Sequence, residues 1–438
     1  MTATSPNFLK LLAPLAAFAC VFIVLVSFGP SGDVELPQSG AGVAAEIPPG
    51  ASTDQRIEIL QRSASADAAS AGTFAALGDA YLQKTRETGD PSYYSRADRS
   101  FDAALRRDAR NADAVLGAGT LAGLRHDFRE QLRLGLEARR LVPALTAPNA
   151  VIADAQIELG RYGDAERTLQ RMLDSKPNLT AYSRVSYYRE LTGDLEGAVQ
   201  SMRLAVSAGA AVSENVAYVQ TLLGDLELQR GRPAEARSAY RAALARLPGY
   251  APAEVGLARV QNAAGDLDAA ARRLRSVSAR LPLTSHLMLL ADTDAARGAR
   301  AAAARDLDVV RTQQQLLRAA GARPDAELIL FEATHGDPAA AVRLGRRLWA
   351  QAPSVRSADA LGWALTRAGR SAEGLAWAQR ALRLGSRDPL FHYHAGLAAK
   401  ATGRPALAAR ELGTALSAGA ALSPLQAEQA RTALEVLR

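Results

Sequence analysis

His392 and His394, two positions apart, are the nearest approach to a metal-ligating pair among the five histidines of this 438-residue chain. On a helix, residues two apart diverge by about 200°, so their rings point apart and joint ligation of one ion is not expected. The single cysteine, Cys20, admits neither an intramolecular disulfide nor a cysteine-based zinc site. Carboxylates are abundant, yet no Ser/His/Asp arrangement, nucleophile elbow, phosphate-binding glycine loop or distinct carboxylate pair emerges. The expectation is a chain that binds without catalysing, and that needs no metal or cofactor. Residues suited to binding do cluster: Tyr182, Arg184, Tyr187 and Tyr188 in one place, Trp363, Arg367 and Tyr393 in another. Aromatics beside arginine are frequent interface anchors, because they offer large rigid contacts and directional charged donors. For Tyr182 and Tyr188 the competing reading is packing between helices.

Helices must position these residues. Aromatics make up only 5% of the chain, while Ala, Leu, Arg, Glu and Gln, all good helix formers, dominate. A turn pattern recurs, with glycines at Gly160, Gly193, Gly231, Gly265, Gly298, Gly336, Gly369 and Gly403, spaced 33, 38, 34, 33, 38, 33 and 34 residues apart. Five positions after each stands a small residue: Ala165, Ala198, Ala236, Ala270, Ala303, Ala341, Gly374 and Ala408. A helix that ends at a left-handed glycine, turns, and is followed by a second helix with a small face gives a closely packed hairpin. Prolines or helix breaks follow, as at Pro177, Pro248, Pro282 and Pro353.

This pattern resembles the tetratricopeptide repeat. Further positions agree, among them Leu223, Gly224, Tyr240, Ala243 and Pro248 in one unit and Leu361, Gly362, Ala378 and Ala381 in another. Two degenerate units come first, one with Leu77, Gly78, Tyr81, Ala97, Phe101 and Ala104, the next with Gly119, His126 in place of the turn glycine, Ala138 and Pro143. The resemblance implies an all-α, right-handed α-solenoid of about ten helical hairpins. The units lie near 71–111, 112–145, 146–178, 179–216, 217–250, 251–283, 284–321, 322–354, 355–388 and 389–421, and a capping helix over 422–438 closes the array. Three-unit blocks sum to 105 residues, for instance from Gly160 to Gly265, with extra residues before Gly231 and Gly336, which suggests duplication of a three-unit block. Each hairpin is expected to touch mainly its neighbours. No gap between landmarks is large enough for a catalytic insertion.

In such arrays the first helix of each hairpin lines a concave groove. Six residues before each turn glycine stand Asp154, Tyr187, Asp225, Arg259, Asp292, Leu330, Trp363 and Leu397. Acidic and apolar side chains dominate there, which argues against a clamp for a C-terminal carboxylate. The candidate partner-binding residues are therefore Arg184, Tyr187, Asp225, Arg259, Asp292, Trp363, Arg367 and Tyr393, and the expected partner is a protein or peptide.

The formal charge of +7 arises from 52 basic and 45 acidic residues interleaved along the helices. No basic stripe interleaved with aromatics is present, so nucleic-acid binding is not expected. Leu11–Phe28 is an uncharged run of 18 residues, which as a helix would cover roughly 27 Å, close to the thickness of a bilayer core. Residues 1–28 are read as one N-terminal transmembrane helix and 29–55 as a Gly/Pro/Ser-rich tether. Lys10 precedes the run and the next basic residue after it is Arg56. That asymmetry places the N-terminus in the cytoplasm and the repeats outside it. The alternatives are cleavage as a signal peptide near Val43, Ala44 and Ala45, giving a secreted binding protein, and lipidation at Cys20, which the eight apolar positions that follow disfavour.

Overall fold

The computed structural model describes residues 47–48, 50–66, 69–209 and 213–437. The expected membrane span Leu11–Phe28 and most of the tether lie outside these residues. No helix among the described residues is long and apolar enough to cross a membrane. All regular elements among them are helical.

Helix α1 (Thr53–Ala64) begins three residues inside the stretch read as tether. A capping box fixes its start: Ser52 Oγ accepts from Gln55 N, and the Gln55 side chain accepts from Ser52 N. Helix pairs follow, each closing into a hairpin. They are α2 (Ala71–Thr88) with α3 (Ser92–Arg107), α4 (Ala112–Leu124) with α5 (Phe128–Leu141), α6 (Ala147–Glu158) with α7 (Tyr162–Ser175), and α8 (Leu179–Leu191) with α9 (Leu195–Ser207). Next come α10 (Ser213–Gln229) with α11 (Pro233–Arg246), α12 (Ala251–Ala263) with α13 (Leu267–Arg280), and α14 (Thr284–Ala296) with α15 (Arg300–Ala319). The last are α16 (Ala326–His335) with α17 (Pro338–Gln351), α18 (Val355–Arg367) with α19 (Ser371–Ala381), and α20 (Pro389–Ala401) with α21 (Pro405–Ser417). Helix α22 (Pro424–Val436), also opened by a capping box at Ser423, packs on α21.

Local chemistry explains the hairpins. Of the eight recurring turn glycines, Gly336 alone lacks a positive φ. There the short α16 stops at His335, Gly336 takes φ −123°, and the Glu332 carboxylate accepts from Asp337 N at 3.3 Å, so the turn closes without a left-handed residue. His126, standing in the glycine position of the second hairpin, has φ 59° and is the only non-glycine residue with positive φ among those described. The small residues five positions on are buried at every hairpin that carries the pattern. Where the second hairpin has Gln131 instead, the facing helix supplies Gly123, whose Cβ would stand 2.8 Å from the Gln131 side chain. Tyr240 shows why Gly224 and Gly256 are small: its ring wedges between them, and a Cβ on either would lie within 2.4 Å of it. Phe101 sits in the same way between Gly78 and Gly117.

The two insertions are absorbed differently. Before Gly231 the first helix of the hairpin, α10, grows to 17 residues, whereas before Gly336 it is α15, a second helix, that reaches 20. Equal spacing in the sequence therefore does not correspond to equal placement in the fold.

Each hairpin packs mainly on its neighbours, as expected, and the superhelix is also wound so tightly that successive turns touch. The turn of the second hairpin meets the linker that follows the seventh: Arg323 N donates to Arg125 O at 3.0 Å, and His126 Nδ1 lies 3.1 Å from Arg323 O. The third meets the linker after the eighth, where Gly160 faces Pro353 O and Val355 N donates to Tyr162 Oη at 2.7 Å. Gly193 faces Gly385 O, after the ninth, and Gly231 faces Ser417 O, after the tenth. This regular offset of five hairpins forms a seam. Its cores are shared as well, for Ile157, Tyr187 and Met202 lie in one buried cluster with Val355, Ala381 and Phe391. The Cβ-free backbones of Gly160, Gly193 and Gly231 let the chain approach its own carbonyls.

Candidate interaction surfaces

The inner face, read from the sequence as an open groove for a partner, is filled by the protein itself. Arg184, 2% exposed, donates from Nε at 3.0 Å and from Nη2 at 2.9 Å to the carboxylate of Asp154. The two come from neighbouring hairpins, so the pair ties α6 to α8. Burial lifts the Asp154 carboxyl to about 6 even against the opposing effect of Arg184. Asp225 and Arg259, both candidate site residues, face each other at 3.2 Å, and Tyr240 Oη donates to Asp225 at 2.7 Å. Burial raises the Asp225 carboxyl, opposed by Arg259 and Tyr240. Asp292 lies 3.9 Å from His335 Nε2, and burial pushes it up to about 6 while pushing His335 down to about 4.

The two aromatic clusters are structural. Tyr187 is 6% exposed and packs in the shared core. Trp363, 5% exposed, donates from Nε1 to Thr334 Oγ1 at 3.0 Å and stacks on His394 with centroids 4.4 Å apart. Tyr393 Oη donates to Gln429 of the capping helix at 2.5 Å. Only Arg367 of this group remains exposed, its guanidinium 5.6 Å from the Trp363 ring centroid. Tyr182 and Tyr188 are partly buried against the same core as Tyr187. The physical reason is mostly local: adjacent hairpins or the capping helix supply the partners of Arg184, Asp225, Asp292, Trp363 and Tyr393, while the winding adds the Val355 and Phe391 side of the core around Tyr187.

The two histidines serve different partners. His392 Nδ1 is 2.6 Å from Glu411 and its Nε2 3.1 Å from Ser386 O, whereas His394 Nδ1 is 2.9 Å from Asp359. No group of three or more His, Cys, Asp or Glu arranged for a metal occurs among the described residues.

Two spaces remain. A cavity of about 170 Å³ is lined by residues that include Tyr187, Glu190, Tyr218, Asp225, Arg259 and Asp388. Glu190 and Asp388 were not singled out from the sequence: they stand on hairpins far apart in the chain, and only the seam brings them together. Burial raises Glu190 to about 7 although Gln229 donates to it at 2.6 Å. The second space is a cleft of about 980 Å³ in the seam, between the Gly193 and Gly231 turns on one side and residues 375–418 on the other.

Residues 151–213 and 227–293 each match a family model described as tetratricopeptide repeat. Among solved structures, the chain is similar to the human IFIT1 dimer with PPP-AAAA at 15% identity, a TM-score of 0.48, and coverage of 76% of this chain and 78% of that one. It is similar to the APC/C hetero-tetramer Cut9-Hcn1 at 18% identity, a TM-score of 0.38, and coverage of 84% and 76%. A thermophilic TPR protein of Thermus thermophilus aligns at 19% identity with a TM-score of 0.39, covering 44% of this chain and 98% of that one. No curated protein matches in sequence.

Proposed function

We propose that this chain, an array carrying tetratricopeptide repeats, is a non-catalytic scaffold that binds a protein or peptide partner and is held at a membrane by residues 11–28, with its repeats outside the cytoplasm. The supporting observation is the array itself: paired helices carry the tetratricopeptide pattern through the hairpins, and families of this type generally serve protein interaction. Because the inner stripe is occupied by the chain's own ion pairs and aromatic rings, the partner surface proposed is the outside of the superhelix and its seam, in place of the concave groove. The tether reading rests on the length and apolarity of Leu11–Phe28 and on the basic asymmetry around it.

The test uses full-length protein in its native membrane. Retention in membranes through a high-salt wash, together with activity of a C-terminal reporter that works only outside the cytoplasm, is the expected outcome. Release by salt would remove the span, and reporter activity only inside the cytoplasm would reverse the orientation. A mature N-terminus near Ala45 would replace the anchored form by the secreted one. For the scaffold itself, photo-crosslinking from exposed seam positions should yield a discrete protein adduct; none from seam or outer surface would end the reading.

A further inference from the structure

We propose that the seam cleft between the Gly193 and Gly231 turns and the 382–387 loop binds an acidic peptide segment, with Arg232 and Arg387 as its carboxylate-binding residues. The proposal rests on the scaffold reading above and specifies the chemistry of the partner.

The cleft is preformed. At one end Gly193 packs on Gly385 O, and at the other Gly231 packs on Ser417 O, so backbone contacts between superhelical turns set the spacing of its walls. Pre-organised walls of this kind lower the ordering cost of binding. Its volume of about 980 Å³ accommodates a segment of several residues.

The charges in the cleft are unevenly committed. Glu411 is held by His392 at 2.6 Å and by Arg410 at 2.7 Å. Glu196 is held by Arg230 at 2.5 Å, and Asp194 accepts from Gly197 N at 2.9 Å as the cap of α9. The carboxylates on the walls thus already have donors. Arg232 and Arg387 also line the cleft, are exposed, and make no ion pair among the described residues. Two guanidinium groups left over in a cleft whose acids are satisfied favour an anionic ligand, and each guanidinium fork matches a carboxylate. Leu195, Leu375, Leu382 and Leu407 supply apolar wall between the charges, which suits aliphatic side chains interspersed among the acids.

Nucleic acid fits this surface less well. No Phe, Tyr or Trp lines the cleft to stack a base.

The experiment is fluorescence anisotropy with full-length protein in detergent micelles and a labelled octapeptide of glutamates with two interspersed leucines. Saturable binding is expected, with about tenfold loss of affinity for R232A/R387A. The variant R272A/R346A, which removes two exposed arginines elsewhere, should bind as the wild type does. Equal weakening by the control would reduce the effect to net charge and overturn the proposal, as would full binding of the all-glutamine counterpart or the absence of saturable binding. Displacement of the peptide by an octa-adenylate at comparable concentration would assign the cleft to nucleic acid instead. Loss of peptide binding alongside an intact crosslinked protein partner would remove the cleft while leaving the scaffold reading in place.

Discussion

A Cβ atom built on Gly193 would stand 2.1 Å from the carbonyl oxygen of Gly385, 192 residues further along the chain. Gly265 has nearly the same backbone, φ 81° against 84°, yet nothing lies within 4 Å of its Cβ position. The pair separates the two roles of a turn glycine. Gly265→Ala should cost only the left-handed penalty of ~1–2 kcal/mol. Gly193→Ala should cost ~1–3 kcal/mol more, because the methyl collides with backbone of the next superhelical turn. Equal chemical denaturation midpoints for the two variants would show that the seam is not closed in solution.

Removal of Trp363 or Tyr187 should act on stability before it acts on binding. Each is buried in a core, and truncation to Ala is expected to lose ~3–5 kcal/mol. If either variant kept the wild-type melting curve while losing affinity for a crosslinked partner, the inner face would be open to that partner after all.

The Asp154–Arg184 pair should show the asymmetry of buried charge. Arg184→Met alone strands a carboxylate and should cost ~3–5 kcal/mol, while the double variant with Asp154→Leu should recover most of that loss. A double variant as unstable as the single one would mean that the pair specifies how α6 meets α8, and does more than neutralise two charges.

Stability should rise as pH falls from 8 to about 6.5. Burial holds Asp79 at about 7, with Asp113 adding to the effect and Arg86 and Arg56 opposing it, and holds Glu190 at about 7. A carboxyl whose folded pKa exceeds its unfolded value binds its proton more tightly when folded. Its contribution is complete below the unfolded pKa and is lost as pH climbs through the folded one. Below about 6.5 the buried His286 and His335, each held at about 4, act in the opposite sense, because the unfolded chain protonates them first. The variant D79N/E190Q should flatten the dependence between pH 6.5 and 8. An unchanged slope, followed by thermal melts across that range, would exclude these two groups as its source.

Much of the local architecture was legible in the sequence because hairpins are local. The turn glycines, the small residues five positions on and the substitution of His126 each reflect one φ angle or one close helix contact. Gly336 misled because the pattern records residue type, while Asp337 and Glu332 closed that turn by side-chain hydrogen bonds. What the sequence did not display is the pitch. A small rotation at each hairpin, summed over five, decides whether Tyr187 lines a groove or meets Val355 and Phe391 in a closed core, and no single position carries that sum. Asp225 and Arg259 illustrate the limit: equivalent positions in adjacent units marked both, and the fold then spends them on each other.

The seam also changes what kind of mechanical object this chain is. An open solenoid stretches like a spring, each coil yielding separately. Here the turns of the second and third hairpins are hydrogen-bonded, and those of the fourth and fifth are packed, against backbone about 190 residues onward. Tension applied between the ends must first shear these fasteners in parallel, so the array behaves as a stiff rolled tube with a yield point, and extends rung by rung only after it has been unlatched.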